Sequence, residues 1–281
     1  FNTPVLPLFF KPKRSIALAL DFAYCHFPGA GVRGRVARAF TKLYHGFSMK
    51  KADRIITMSD ATKKDILLFF PRIPREKIIT CHWGYKRIGD IPEEPMPISG
   101  EFFLFAGVIK ERKNVFAVVR AFREFVREGG RHNLVIAGKG SGAYADSIRR
   151  FIGLEGIEDR VIMPGFVREG QLAYLYKNAE ALVFPSFIEG FGFPVLEAMS
   201  LGAPVITSNA SSLAEVGGDA ALLVDPRDAD GIKGAMKKIC KDQTLRRTLV
   251  QKGYERVKEF SWDARIPAFL AVLKSDLGGG I

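Results

Sequence analysis

From position 101 onward, short apolar runs alternate with segments of helical period, and this alternation restricts the fold more than any other feature of the chain. Strands are expected at 102–106, 133–137, 160–163, 181–184, 204–207 and 221–224. Helical spacing fills the intervals at 115–127, 144–152, 171–178, 195–200 and 213–216, and three helices are expected to close the chain at 229–240, 243–259 and 262–275. A run such as FFLFA at 102–106 is apolar at every position, as expected of a strand covered on both faces. Repeated strand–helix–strand units imply a parallel sheet with helices on both sides, and right-handed crossovers make the doubly wound arrangement the default. Ligands of such sheets bind beyond the C-terminal strand ends. The loops after Ala106, Ala137, Met163, Phe184 and Thr207 are therefore the places to look for chemistry.

The upstream part repeats the pattern less regularly. SIALALD at 15–21 is an apolar run ending on Asp21, and RIITM at 54–58 and KIITC at 77–81 are two more short strands. Pro28, Gly29, Gly31 and Gly34 interrupt before a basic helix expected over 36–50, and Ser59 or Asp60 is placed to cap the next helix. Residues 88–100 carry three prolines and few apolar positions, which reads as an interdomain linker. The expected division is thus 1–87, a linker at 88–100, a second domain at 101–260, and a last helix over 261–281.

Composition sets the wider bounds. With 281 residues, 47% of them hydrophobic, the chain can bury the core of one large domain or two smaller ones. No apolar run approaches the ~20 residues of a membrane span. Three well-separated cysteines, Cys25, Cys81 and Cys240, have no metal-ligand spacing and are expected to be reduced packing residues in a cytoplasmic compartment. The net charge of +12 is uneven: residues 1–50 hold eight Lys and Arg against Asp21 alone, a local +7. Such a segment suits an anionic membrane surface, an acidic substrate or a nucleic acid. No zinc-finger spacing or RNA-binding aromatic signature accompanies it, so nucleic acid is not the expected partner.

The strand-end loops carry the chemistry. After the strand at 102–106 comes Gly107, then Arg112 and Lys113 before a helix, two cations able to neutralise a diphosphate. GKGSG at 138–142 has neither the Walker nor the dinucleotide spacing and marks only a flexible turn starting at Gly138. Pro164 to Val167 (PGFV) follows, where backbone groups beside Phe166 and Val167 could read a base edge. PSFIEGFGFPVLEAM at 185–199 sets Glu189 and Glu197 around Gly190, Phe191 and Gly192, with Pro194 at a helix start. The amides of Val195 and Leu196 are expected to face outward at the positive end of that helix, toward a phosphate. Asp228-Ala-Asp230 spells a metal-binding DxD but precedes a helical run, and is read as a cap. Glycines, cations and carboxylates together at one sheet edge describe a nucleotide-sugar site.

These residues, with the IAGKG at 136–140 and SSLAEVGGDAALLVDP from Ser211, resemble the family 4 retaining glycosyltransferases of GT-B fold, most densely from about 52 to 262. The resemblance implies an α/β protein of two Rossmann-like domains facing across a cleft, the C-terminal one holding a nucleoside diphosphate sugar and the N-terminal one a glycan or lipid-linked acceptor. It implies Glu197 on the ribose hydroxyls, Glu189 on the transferred sugar, Arg112 and Lys113 on the diphosphate, no metal and no separate cofactor. Two positions depart from the family. Leu20 stands before Asp21 where many members carry histidine, with His26 a few residues on as either a substitute or a structural residue, and Val108 stands where an arginine is frequent. The chain is also expected to begin near the middle of the family's N-terminal domain, so that it is a fragment or is completed by a second chain. The expected protein is a cytoplasmic enzyme, docking peripherally on the inner face of a membrane. The rival readings are a donor-binding or scaffolding module without catalysis, and a glycosidase using Glu189 and Glu197, which leaves the cationic pocket unexplained.

Overall fold

The structure, a computed structural model, describes residues 13–27 and 31–277; Lys11, Pro28, Gly29 and the glycines at 278–280 lie outside them. The chain divides into two compact units, Phe1–Gly84 with Glu189–Phe191 and Phe260–Ile281, and Tyr85–Ile188 with Gly192–Glu259.

Among the described residues the first unit carries strand β1 (Ile16–Ala19), helix α1 (Ala23–His26), helix α2 (Gly31–Lys51), strand β2 (Arg54–Thr57), helix α3 (Asp60–Phe69) and strand β3 (Ile78–Thr80). The three strands run parallel in the order β1-β2-β3. Ala17, Ala19, Phe22, Met49, Ile55, Ile66 and Phe70 form the core beneath them. Ser59 is the N-cap of α3, its hydroxyl accepting from the Thr62 amide at 3.1 Å. Gly31 and Gly34, expected among the interruptions, lie inside α2 instead. Gly31 opens the helix, and Gly34 in its interior costs about 1 kcal/mol, while Met49 near the other end is buried in the core.

The second unit alternates strictly: β4 (Phe102–Ala106), α4 (Val115–Arg127), β5 (Asn133–Ala137), α5 (Ala143–Leu154), β6 (Val161–Gly165), α6 (Glu169–Asn178), β7 (Ala181–Phe184), α7 (Phe193–Ser200), β8 (Val205–Ser208), α8 (Ser211–Gly217) and β9 (Leu222–Val224). Helices α9 (Ala229–Lys241) and α10 (Gln243–Glu259) follow. Its sheet is parallel throughout, in the order β6-β5-β4-β7-β8-β9. Renumbered from β4 this is 3-2-1-4-5-6, the doubly wound order whose direction reverses between the first and fourth strands. The reversal opens a crevice at the C-terminal ends of β4 and β7. Phe103, Leu104 and Phe105 on β4 and Leu182, Val183 and Phe184 on β7 are fully buried, as strands covered on both faces must be. The proline-rich stretch 88–100 belongs to this unit: Ile88 is buried, the Glu94 amide donates to the Gly170 carbonyl at 3.1 Å, and Glu93 pairs with Lys177 of α6 at 2.5 Å.

The last helix, α11 (Trp262–Leu277), belongs to the first unit. Trp262 lies against Trp83, ring centroids 6.2 Å apart. A Cβ on Gly84 would fall 2.4 Å from the Trp262 ring and 2.8 Å from its Cα, so glycine is what lets this helix seat. Among the described residues no helix is long and apolar enough to cross a membrane.

Candidate functional site

The crevice of the second unit holds a pocket of about 430 Å³, within the range of small-ligand sites. Gly107 follows β4, Gly138 follows β5, Phe166 and Val167 follow β6, and Glu197 stands on α7; all five line it, together with Tyr176 of α6. The walls meet because the two glycine loops touch: a Cβ on Gly138 would lie 1.9 Å from the Gly107 carbonyl oxygen. Phe166 is 70% exposed, with the Lys139 ammonium 5.1 Å from its ring centre, which leaves an aromatic face open at the pocket's rim.

Glu197 accepts from the phenol of Tyr176 at 3.1 Å, and Tyr176 is itself fully buried. Burial raises the Glu197 carboxyl above its ordinary value, opposed by the Tyr176 hydrogen bond and by the charges of Lys86 and Lys113. Burial, with the neighbouring carboxylate, pushes the Tyr176 phenol up as well, so it stays a donor. Tyr176 is absent from the residues singled out in the sequence. Nothing in its helical context marks it, because its role depends on α6 meeting α7.

Arg112 and Lys113 lie in a 3-10 turn (Glu111–Lys113) that ends on Asn114 with φ 58°. Asn114 tolerates the left-handed region and uses it: its side-chain amide donates to the carbonyls of Pro185 at 3.1 Å and Pro226 at 2.6 Å. The cationic turn is thereby bound to the loop after β7. Arg112 donates to the Ile188 carbonyl at 3.1 Å, and the Lys113 ammonium sits 4.7 Å from the centre of the Phe184 ring and beside Gly107.

Helix α7 starts as expected, with Gly192 at the N-cap and proline in the first turn. The expectation for Val195 needs correction. Its amide donates to the Gly192 carbonyl at 3.0 Å, closing the first turn instead of facing outward. The side chains of Val195 and Leu196 are buried and anchor the helix. Asp228 is the expected cap: its carboxylate accepts from the Gly231 amide at 2.9 Å at the start of α9.

The other predicted residues belong to the first unit. Asp21 follows β1 and caps the next turn, accepting from the Ala23 amide at 3.1 Å. The hydroxyls of Ser59 and Thr62 lie 2.8 and 3.4 Å from the Gly190 carbonyl, and a Cβ on Gly190 would fall 2.2 Å from the Leu20 carbonyl and 3.2 Å from the Asp21 Cβ. The Asp21 loop and the Gly190 loop, remote in sequence, are therefore in contact. Phe191 packs on Phe260 and His82, with centroids 5.6 and 6.3 Å away, and Glu189 is buried. His26 pairs with Asp65 of α3 at 2.9 Å and sits edge-on to Phe69.

Residues 90–256, which carry this doubly wound sheet with its cations, glycines and buried carboxylate, are matched by a family model described as "Glycosyl transferases group 1". The chain belongs to that family. Among similar proteins, O-antigen chain mannosyltransferase B of Escherichia coli is 32% identical over 272 residues, covering 92% of this chain and 70% of that protein. Serotype-specific mannosyltransferase WbdA of Escherichia coli is 30% identical over 217 residues, 76% of this chain but 26% of its own length. Of solved structures, sucrose-phosphate synthase from Thermosynechococcus elongatus superposes with a TM-score of 0.75 at 23% identity, over 92% of this chain and 67% of that one. Anabaena HepE, in complex with UDP and glucose, does so with a TM-score of 0.75 at 15% identity, over 92% of this chain and 71% of that one. The fold is thus that of the GT-B glycosyltransferases, and the reaction class is glycosyl transfer from a nucleotide-sugar donor to a glycan acceptor.

Proposed function

We propose that this glycosyltransferase moves mannose from a nucleoside diphosphate mannose to a hydroxyl of a growing polysaccharide or lipid-linked glycan, with retention at the anomeric carbon. The observation that carries the donor site is the pocket at the switch point, where residues from the ends of β4, β5 and β6 and from α7 converge. The mannosyl assignment draws on the names of the relatives.

In this reading the base lies between the open face of Phe166 and the backbone near Val167, and Glu197 accepts from the ribose hydroxyls. Its raised pKa suits such a role, since hydroxyl donors bound in the pocket compensate the cost of burying the charge. Arg112, Lys113 and the N-terminus of α7 stabilise the departing diphosphate by charge, without a divalent metal. Glu189, Gly190 and Phe191 hold the transferred sugar, and Asp21, in contact with the Gly190 loop, orients the reacting hydroxyls.

A membrane-docking face belongs to the same proposal. Val36, Phe40, Leu43 and Phe47 of α2 are 49, 70, 72 and 43% exposed and recur at the helical period. Arg35, Arg38, Lys42, Lys50 and Lys51 share that helix. An apolar stripe among cations suits the interface of an anionic membrane, where a lipid-linked acceptor would be held.

The test is a thermal-shift screen of UDP-, GDP-, ADP- and dTDP-sugars followed by turnover assays with the stabilising donor. A mannose donor is expected to raise the melting temperature and to be consumed. Stabilisation without turnover would leave only a donor-binding module, and no stabilisation by any donor would overturn the site.

A further inference from the structure

We propose that His132, Cys240, Glu180 and Glu101 form a binding site for a divalent transition-metal ion of the zinc type, at the sheet edge opposite the donor pocket. One ring nitrogen of His132, Cys240 Sγ and a carboxylate oxygen of Glu180 all lie within 4.8 Å of one another. Two of the ligand spacings already match a tetrahedral ion. With metal bonds of 2.0–2.3 Å, tetrahedral ligand atoms sit about 3.3–3.8 Å apart; Nε2 is 3.6 Å from Sγ and 3.3 Å from the nearer Glu101 oxygen.

The donors come from four elements. Glu101, His132 and Glu180 each stand one residue before a strand, β4, β5 and β7, and Cys240 is in the last turn of α9. All three strands run in the same direction, so their starts gather at one edge, a strand length of roughly 16 Å from the loops of the donor site. The ion would therefore brace the sheet and take no part in sugar transfer.

The surroundings fit a closed, partly apolar metal site. His132 and Glu180 are buried. The imidazole is held between the Phe103 ring, stacked at 5.2 Å, and the edge of Phe125 at 5.6 Å. Protons alone serve this cluster poorly, because a neutral imidazole has one N–H and its Nε2 faces both the thiol and a carboxylate. The Arg246 guanidinium, 3.4 Å from Glu180, supplies one positive charge. As the Sγ–metal bond forms the thiol proton leaves to solvent, and two carboxylates and a thiolate then balance Arg246 plus a divalent ion. N and S ligands mixed with carboxylate favour zinc or cobalt over calcium or magnesium.

The experiment titrates cobalt(II) into the chelator-stripped chain and reads the thiolate-to-cobalt absorption. One equivalent of tetrahedral cobalt is expected, displaced by zinc, with zinc also raising the melting temperature. Cys240→Ser and His132→Gln should lose the absorption, while Cys25→Ser and Cys81→Ser keep it. Glu101 is 73% exposed, so Glu101→Gln leaves the core intact and should weaken zinc binding by about tenfold or more. Absence of the absorption in the wild-type chain, or its persistence in Cys240→Ser, would overturn the site.

Discussion

Glu197 combines two demands that conflict in the donor-free protein. A carboxylate poised to accept from hydroxyls must be charged, yet its surroundings raise its pKa, chiefly by burial. A carboxyl whose native pKa lies above its unfolded value binds more protons in the native state, so stability falls as pH rises through the interval between the two values. Glu197→Gln is accordingly expected to raise the melting temperature of the donor-free chain at neutral pH, a gain that fades below the ordinary carboxyl pKa of about 4.3. The same variant should bind donor more weakly. A variant less stable than wild type at neutral pH in a melting series would refute this account of the pocket. For Lys113→Ala the expected loss is about 1.5–3 kcal/mol of donor binding, the worth of a hydrogen bond to a charged group. Unchanged donor affinity by calorimetry would remove Lys113 from the diphosphate site.

At the scale of elements, α11 depends on a missing side chain. Both tryptophans of the chain, Trp83 and Trp262, meet where Gly84 leaves room. Gly84→Ala places a methyl group into the Trp262 ring and its backbone, an overpacking worth about 1–3 kcal/mol. Tryptophan emission should shift to the red as the helix loosens, together with a lower melting temperature; unchanged emission would mean that α11 is not seated by this contact. Helix α2 presents a different kind of face. Because Phe40 and Leu43 are exposed, replacing both with glutamate leaves the core of the first unit intact. The double variant should bind anionic vesicles about 10- to 100-fold more weakly, from lost apolar burial and added repulsion. Equal co-sedimentation of wild type and variant would exclude the stripe as the docking face.

For the whole molecule, the donor's effect follows from mass action. A ligand at 100 times its dissociation constant stabilises the native state by about 2.7 kcal/mol, several degrees of melting temperature for a domain of this size. Donor stereochemistry and metal dependence are separate observables. Nuclear magnetic resonance of the first-formed product should show the donor's anomeric configuration preserved, and turnover should survive excess chelator. Inversion would overturn the retaining course, and complete loss of turnover restored by magnesium would contradict charge stabilisation by Arg112 and Lys113 alone. A loss of thermal stability in chelator with turnover retained at low temperature is the pattern expected if the His132 and Cys240 cluster holds its ion.

Periodicity and end chemistry determined the strands and most helices, but not α1 or the start of α2. The nine strands among the described residues lie where short apolar runs predict them, β4, β5 and β7 to the residue, because strands covered on both faces are apolar at nearly every position. The βαβ alternation also determined which loops share an edge, since parallel strands send their C-terminal ends the same way. That made Gly107, Gly138, Phe166, Val167 and Glu197 legible as one group before any coordinates. What the tertiary structure decided are relations between elements that no local pattern encodes. Tyr176 reaches Glu197 only because α6 packs beside α7, and the Val195 amide turns back to Gly192 through the geometry of one turn. Asn114 bridges Pro185 and Pro226, and His132 meets Cys240 across more than a hundred residues of chain. A side chain's neighbours along the chain are set by covalent geometry, and its neighbours across the sheet by strand order. Strand order is where the sequence is silent and the packed core decides.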